Sequence, residues 1–220
     1  MKTVALMNIT INAVSPIMDY IRKNEPELKP VPYVDGYVLE KINHDGGVNN
    51  DSMIRMINMI GNACRDGADG IILTCTMFTP YQPALQGLFT VPIICADAAM
   101  LDSASKQQGE TAILCTFEGT VETTRNGYYK YCRKNNTEEK ADMFTLPDAF
   151  NAIQSGNFET GNKIIREKIL ELNEKYDKII LAQISMAGGA EGVKTKRAEV
   201  YSSPRCAVQE FWKMLKAEGK

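Results

Sequence analysis

The sequence predicts an α/β protein built from two parallel-sheet lobes, and three observations lead there. Short β-branched runs alternate with longer helical patterns through most of the chain, which is the signature of parallel βαβ units. That pattern restarts near the middle, and the run Ile71-Ile72-Leu73 recurs as Ile179-Ile180-Leu181. With 220 residues, 44% of them hydrophobic and 24% charged, the chain can bury a core as one large domain or as two lobes. The repetition favours two lobes, 1–100 completed by a C-terminal helix over 204–217, and 101–203.

Taken in order, strands are predicted over 3–8, 29–34, 70–75 and 91–95, each flanked by Gly, Pro, Asn or Asp, and these four complete one sheet. Between them Met53, Met56, Ile57, Ile60 and Cys64 recur at helical spacing, with Asn50 or Asp51 as cap and Gly67 beyond the end. In the second half, strands are predicted over 111–115, 142–146 and 178–183, with helices around 120–134 and 158–175. Ile165, Ile169, Leu172 and Tyr176 form the buried stripe of the latter helix. Val208, Phe211, Trp212 and Leu215 form a last stripe after the helix-start signal Ser203-Pro204. There is no linker rich in Gly, Ser or Pro, so the lobes are expected to pack closely.

Composition excludes several function classes. With 25 basic and 27 acidic residues the net charge is −2, and the longest basic run is Lys194-Thr-Lys-Arg197, so neither nucleic acid nor membrane is expected as a partner. The apolar start, Met1 to Met7, soon meets Asn8 and is too brief for a signal peptide or a span, so a cytoplasmic location is expected. Cys64, Cys75, Cys95, Cys115, Cys132 and Cys206 contain no C-x-x-C pair and His44 is the single histidine, so no metal cluster assembles locally. In a reducing compartment these cysteines are expected as thiols, most of them small buried hydrophobes.

Superposing the two I-I-L runs sets Cys75 opposite Gln183. Ligands of open parallel sheets bind beyond the carboxyl ends of the strands, so both side chains are expected to point into a crevice between the lobes. A strand-to-helix turn can stabilise a thiolate at Cys75 and grip a carboxylate, with Thr74 and Thr76 framing it. Asn8 and Thr10, Asp35, Asp97, Thr116 and Thr120, and Gln183 and Ser185 follow other strands and converge on the same end, although Asp97 and Thr120 each also read as helix caps. His44 falls in a segment rich in Gly and Asn that reads as an exposed loop or a lid.

The ordered set Gly67-Ala-Asp-Gly-Ile-Ile-Leu-Thr-Cys-Thr76, Ala96-Asp-Ala-Ala-Met100, Ala149-Phe-Asn-Ala-Ile-Gln-Ser-Gly156, Leu181-Ala-Gln-Ile-Ser-Met-Ala187 and Ser202-Ser-Pro204 resembles the aspartate/glutamate/hydantoin racemase superfamily. The resemblance runs over nearly the whole chain. It implies two flavodoxin-like lobes related by a pseudo-twofold, an active site between them, no cofactor and no metal, a small carboxylate-bearing substrate, and a homo-oligomer. In two-thiol members one cysteine removes the α-proton while the other delivers it on the opposite face. Cys75 matches the first. Gln183 stands where the second would be, as in a branch with Leu-Ala-Gln, and a carboxamide exchanges no proton at neutral pH.

The expected function is therefore a racemase- or epimerase-like isomerase with Cys75 as general acid/base and Thr76, Thr116 and Thr120 as carboxylate anchors. Gln183 would hold a substrate carboxylate or carbonyl. Cys115, Tyr33, Asp35 and Asp97 are candidates for a second acid. The alternatives are a single-cysteine decarboxylase, lyase or cis–trans isomerase, and a non-catalytic sensor of small acids.

Overall fold

The computed structural model describes residues 1–217. The chain divides into two units, Met1–Ala96 together with the segment from Pro204 onward, and Asp97–Ser203. The first contains β1 (Lys2–Asn8), α1 (Val14–Asn24), β2 (Leu28–Val34), α2 (Gly36–Asp45), α3 (Asn50–Arg65), β3 (Gly70–Leu73), α4 (Gln82–Gln86) and β4 (Ile93–Cys95). The second contains α5 (Ala98–Ser105), β5 (Thr111–Cys115), α6 (Val121–Asn135), β6 (Asp142–Thr145), α7 (Pro147–Gln154), α8 (Phe158–Leu172), β7 (Lys178–Leu181), α9 (Ala187–Ala190) and β8 (Glu199–Tyr201). The chain then returns through α10 (Ser203–Ala217) to the first unit.

Each unit holds one four-stranded, all-parallel sheet, ordered β2-β1-β3-β4 in the first and β6-β5-β7-β8 in the second. The two orders are the same when each unit is numbered from its own start. Central strands are mostly apolar because both faces are covered: every residue of β3, β5 and β7 is buried, Thr111 and Lys178 included. Edge strand β2 is instead buried only at Leu28 and elsewhere mixes half-buried and exposed positions.

Local chemistry sets the helix ends. Asn49 and Ser52 form a reciprocal capping box at α3, Ser52 N–H to Asn49 Oδ1 at 3.0 Å and Asn49 N–H to Ser52 Oγ at 2.9 Å. Gly46, at φ +74°, ends α2 in the left-handed region that glycine enters without penalty. On α10, Val208, Phe211 and Leu215 are buried as the spacing predicts, and Phe211 lies so close to Gly70 that a Cβ there would meet its ring at 2.8 Å.

The structure departs from the sequence reading in definite places. Strand β8 and helices α1, α2, α4, α7 and α9 were not predicted, and strands predicted over 70–75 and 178–183 end at Leu73 and Leu181, where pairing with the neighbouring strands stops although the backbone stays extended through Cys75 and Gln183. The buried face of α3 is Ser52, Met56, Met59, Ile60 and Ala63, so Met53, Ile57 and Cys64 flank the core. His44 lies in the last turn of α2, not in a loop, and its exposed ring contacts Asp45 at 2.6 Å. The helix-forming run Tyr37 to Ile42 carries the chain through it before Gly46 intervenes.

Position 178, which corresponds to Gly70 in the repeat, holds a lysine with only 2% exposure. Lys178 Nζ donates to Ala104 O at 3.2 Å, Gln107 O at 2.5 Å and the Tyr128 hydroxyl at 3.0 Å. Two of these acceptors are carbonyls at the C-terminal end of α5, where a cation is favoured by the helix dipole. Burial nevertheless holds the amine below its ordinary pKa of 10.5. Lys178→Met leaves those carbonyls without a donor and is expected to cost about 1–3 kcal/mol of unfolding free energy at pH 7, read by urea denaturation. Because the folded-state pKa is depressed, the lysine contributes most above its unfolded pKa and loses that contribution as pH falls, so the deficit is expected to widen on raising the pH towards 10.5.

Candidate active site

At the carboxyl end of the first sheet, Cys75 follows β3 in extended backbone (φ −106°, ψ 118°) and immediately precedes a 3-10 turn over Thr76–Tyr81. The residue is half-buried, between buried Thr74 and Thr76. Thr74 ties neighbouring strands together: its hydroxyl lies 2.9 Å from both Met7 O and Asn8 Oδ1. Asn8, fully buried, donates through Nδ2 to Leu6 O at 2.8 Å. Thr74 and Asn8 thus brace the ends of β3 and β1 and hold Cys75 where β3 gives way to the turn.

Asp35 lies at the same end, its N–H donating to Asn8 O at 3.0 Å. Both carboxylate oxygens serve the protein, one accepting Tyr37 N–H as the N-cap of α2 (3.1 Å) and the other pairing with Arg55 Nη1 at 2.6 Å. The Arg55 guanidinium lies 4.7 Å from the centre of the Tyr37 ring. Arg55 was not singled out from the sequence, and the available signal was its standing as the single cation in the stretch from Asp51 to Cys64. Tyr33 is turned away, with its hydroxyl 2.5 Å from Asp66 at the end of α3, and burial together with Asp66 pushes its pKa up to about 12.

In the second unit Gln183 follows β7 in extended backbone and precedes the 3-10 turn Ile184–Met186, which contains half-buried Ser185. Its Oε1 accepts Thr116 N–H at 2.7 Å and the Thr116 hydroxyl at 3.2 Å, while Nε2 donates to Thr120 Oγ1 at 2.5 Å. The Thr120 hydroxyl donates to Phe117 O at 2.7 Å. The turn from Thr116 to Thr120 is thereby closed on the Gln183 amide. Thr120 and Asp97 occupy helix N-cap positions, both buried, yet neither makes a side-chain cap hydrogen bond. Cys115 lies beneath this turn, fully buried. Burial pushes its thiol up to about 11, with Thr120 and Gln183 pulling weakly the other way.

Among the described residues no three His, Cys, Asp or Glu side chains gather closely enough to hold a metal ion, and no helix is long and apolar enough to cross a membrane. The side chains gathered at the strand ends are thiols, hydroxyls, the carboxamides of Asn8 and Gln183 and the Asp35 carboxylate. Cys75, Thr74, Thr76, Asn8 and Asp35 meet at one strand-end edge, and Gln183, Thr116, Thr120 and Ser185 at the corresponding edge of the other sheet.

Comparison with known proteins agrees with this arrangement. Residues 49–211 match the family model described as Asp/Glu/Hydantoin racemase. Among solved structures, the aspartate racemase of Picrophilus torridus superposes with a TM-score of 0.74 at 13% identity, covering 98% of this chain and 95% of that one. Allantoin racemase from Klebsiella pneumoniae gives 0.72 at 16% identity, covering 99% and 89%. Glutamate racemase isoform RacE1 from Bacillus anthracis gives 0.70 at 14% identity, covering 99% and 83%. At these identities the likeness is one of fold. No curated protein sequence matches the chain significantly.

The thiol at position 115 provides a test of the second edge. The ultraviolet thiolate signal that disappears in Cys115→Ser is expected to titrate near pH 11, against an ordinary value of 9.0. A raised folded-state pKa stabilises the fold fully below the unfolded value and loses that effect as pH rises through 11, so native protein is expected to lose more stability than Cys115→Ser between pH 9 and 11. A titration midpoint near 9 would show the thiol to be open to water.

Proposed function

Because the chain belongs to the Asp/Glu/hydantoin racemase family and is thereby supported as an amino acid racemase-like isomerase, we propose that it acts on a small carboxylate-bearing carbon acid with Cys75 as general acid/base. The observation that carries this reading is the placement of Cys75: half-buried, at the mouth of a strand-end turn, between two buried threonines, on a strand end braced by Asn8. An α-proton next to a carboxylate is weakly acidic. Its removal requires a base held within hydrogen-bond reach and donors fixed on the oxygens where charge develops. A thiolate meets the first need, and Thr76 is the nearest candidate for the second.

A second reading has its own observation. Gln183 gives its amide to Thr116 and Thr120 and transfers no proton, which favours chemistry that needs one proton-transferring group, namely decarboxylation, lyase cleavage or cis–trans isomerisation.

Proton NMR in heavy water with a panel of amino acids, hydroxy acids, malonates and unsaturated diacids separates the readings. The isomerase is expected to exchange the substrate α-proton for deuterium with inversion, and Cys75→Ala to lower that rate by about 10²–10⁴-fold. Loss of carbon dioxide with deuterium in the product assigns the second reading. Inversion that survives Cys75→Ala removes Cys75 from the role, and tight binding without conversion assigns a sensor.

A further inference from the structure

A sheet edge is a row of backbone N–H and C=O groups that a further strand can complete, and each of the two sheets has a pair of them. Three of these edges are closed. On β2, Lys2 N–H goes to Glu27 O and Asp35 N–H to Asn8 O, so positions 28, 30, 32 and 34 face away from β1. Two of them are Pro30 and Pro32, which carry no N–H for a newcomer. On β4 the outward residue Ile93 is held by glutamine side chains: its N–H donates to Gln86 Oε1 at 2.8 Å and its C=O accepts Gln82 Nε2 at 2.8 Å. Ahead of β8, the N–H of Ala198 goes to Asn173 Oδ1 at 3.0 Å, which leaves Val200 as the single outward residue of a three-residue strand.

Strand β6 has none of these devices. Leu146 N–H goes to Cys115 O at 2.8 Å, so positions 142, 144 and 146 face β5 while Met143 and Thr145 face outward. Neither is a proline, and their N–H and C=O groups meet no partner among the described residues. Beside the strand runs a groove of about 710 Å³ with Arg125, Tyr129, Met143, Phe144, Lys175 and Tyr176 in its walls.

We infer that β6 is the contact edge for a second copy of this chain, paired antiparallel about a twofold axis at Phe144. Met143 then faces the partner's Thr145 and Thr145 the partner's Met143, and each such pair exchanges both N–H···O bonds, so one open edge satisfies the other completely. Phe144, whose ring already lies edge-on to Tyr176 with centroids 5.9 Å apart, meets the partner's Phe144 at a non-hydrogen-bonded position, where facing side chains approach most closely. The same register brings the Lys140 end of one strand against the Asp148 end of the other. Lys140 holds Glu110 at 3.1 Å within its own chain, whereas exposed Asp148 makes no ion pair among the described residues, so the two ends are of opposite charge. This self-complementarity of backbone groups and charge is what selects a second copy as the occupant. The inference does not depend on the chemistry proposed for Cys75.

The test is sedimentation velocity on the full-length protein over a concentration series, together with amide hydrogen exchange at both ends of that series. The mass is expected to rise from 24.4 kDa to twice that value, and the Met143 and Thr145 amides to exchange more slowly as the dimer fills. Thr145→Pro removes an outward N–H and no bond to β5, so it is expected to weaken association about tenfold, the two bonds lost per dimer at their net worth, with the far-ultraviolet circular dichroism unchanged. Asp148→Lys leaves the strand intact and is expected to weaken association about threefold, and Lys140→Asp added to it to restore the native value.

A monomeric mass at the highest concentration overturns the inference. So does a dimer in which the Met143 and Thr145 amides exchange as fast as in dilute protein, because that dimer uses another face. Folded Thr145→Pro that associates as the native protein does, or Asp148→Lys with undiminished association, overturns the antiparallel register on which the inference rests.

Discussion

The register of each sheet depends on one aspartate placed just before its I-I-L strand. Asp69 accepts Thr3 N–H at 2.7 Å and Lys2 Nζ at 3.0 Å, and Asp177 accepts Glu110 N–H at 2.9 Å. Both interactions pin the entry of a central strand against its neighbour. In a buried parallel sheet a slip of one residue would turn each inward side chain to the opposite face. Burial raises the Asp69 carboxyl, but the Thr3 N–H and the Lys2 ammonium outweigh it and hold the group below its ordinary range. With the entry fixed, four buried residues later β3 delivers the chain to Thr74 and Cys75, and β7 delivers it to Ala182 and Gln183.

On this common frame the two units have diverged at matching places. Where the first unit has Gly70 against Phe211, the second has Lys178 and a buried polar cluster with Tyr128 and Thr111. The pairing of β1 with β3 and of β5 with β7 sets Asn8 in correspondence with Cys115, and Thr74 with Ala182. In the first unit the strand ends are therefore bridged by Thr74 and Asn8, close to the backbone, and Cys75 is not needed for that bridge. In the second the hydroxyl is absent at position 182, and Gln183 spans to Thr116 and Thr120 instead.

Much of this was legible in the sequence because burial on both faces leaves a strong signal: the I-I-L runs, the stripe Ile165, Ile169 and Leu172, and the repeat that aligns Cys75 with Gln183 all follow from it, whereas α8 ends at Leu172 and Tyr176, also buried, lies beyond the predicted helix. Three-residue β8 left no such signal, since Glu199 is exposed and Val200 half-buried. Helix α1 begins at Ala13 without a side-chain cap, so the usual start signal was missing there, whereas α5 does begin at Asp97, which reads as a cap. Asp35 was read as a ligand contact because its partner Arg55 lies twenty positions away, a pairing that only the folding of α3 against α2 creates. The donor direction of Thr116 and Thr120 was illegible for a similar reason. Residue type supplies a hydroxyl, but its partners decide where the single proton goes.

That distinction bears on how a frame of this kind changes its chemistry. A thiol and a carboxamide at corresponding strand ends need opposite surroundings. Beside Cys75 the side chains of Thr74 and Asn8 are satisfied by one another. A carboxamide is useful only when its plane is fixed, since a freely rotating amide presents acceptor and donor alike, and Thr116 N–H together with Thr120 Oγ1 removes that ambiguity. Placing a cysteine at 183 would therefore leave the N–H of buried Thr116, at the start of the turn, to find a new acceptor at a cost of about 1–3 kcal/mol. The side chain at 183 and the turn that holds it are thus one unit of change.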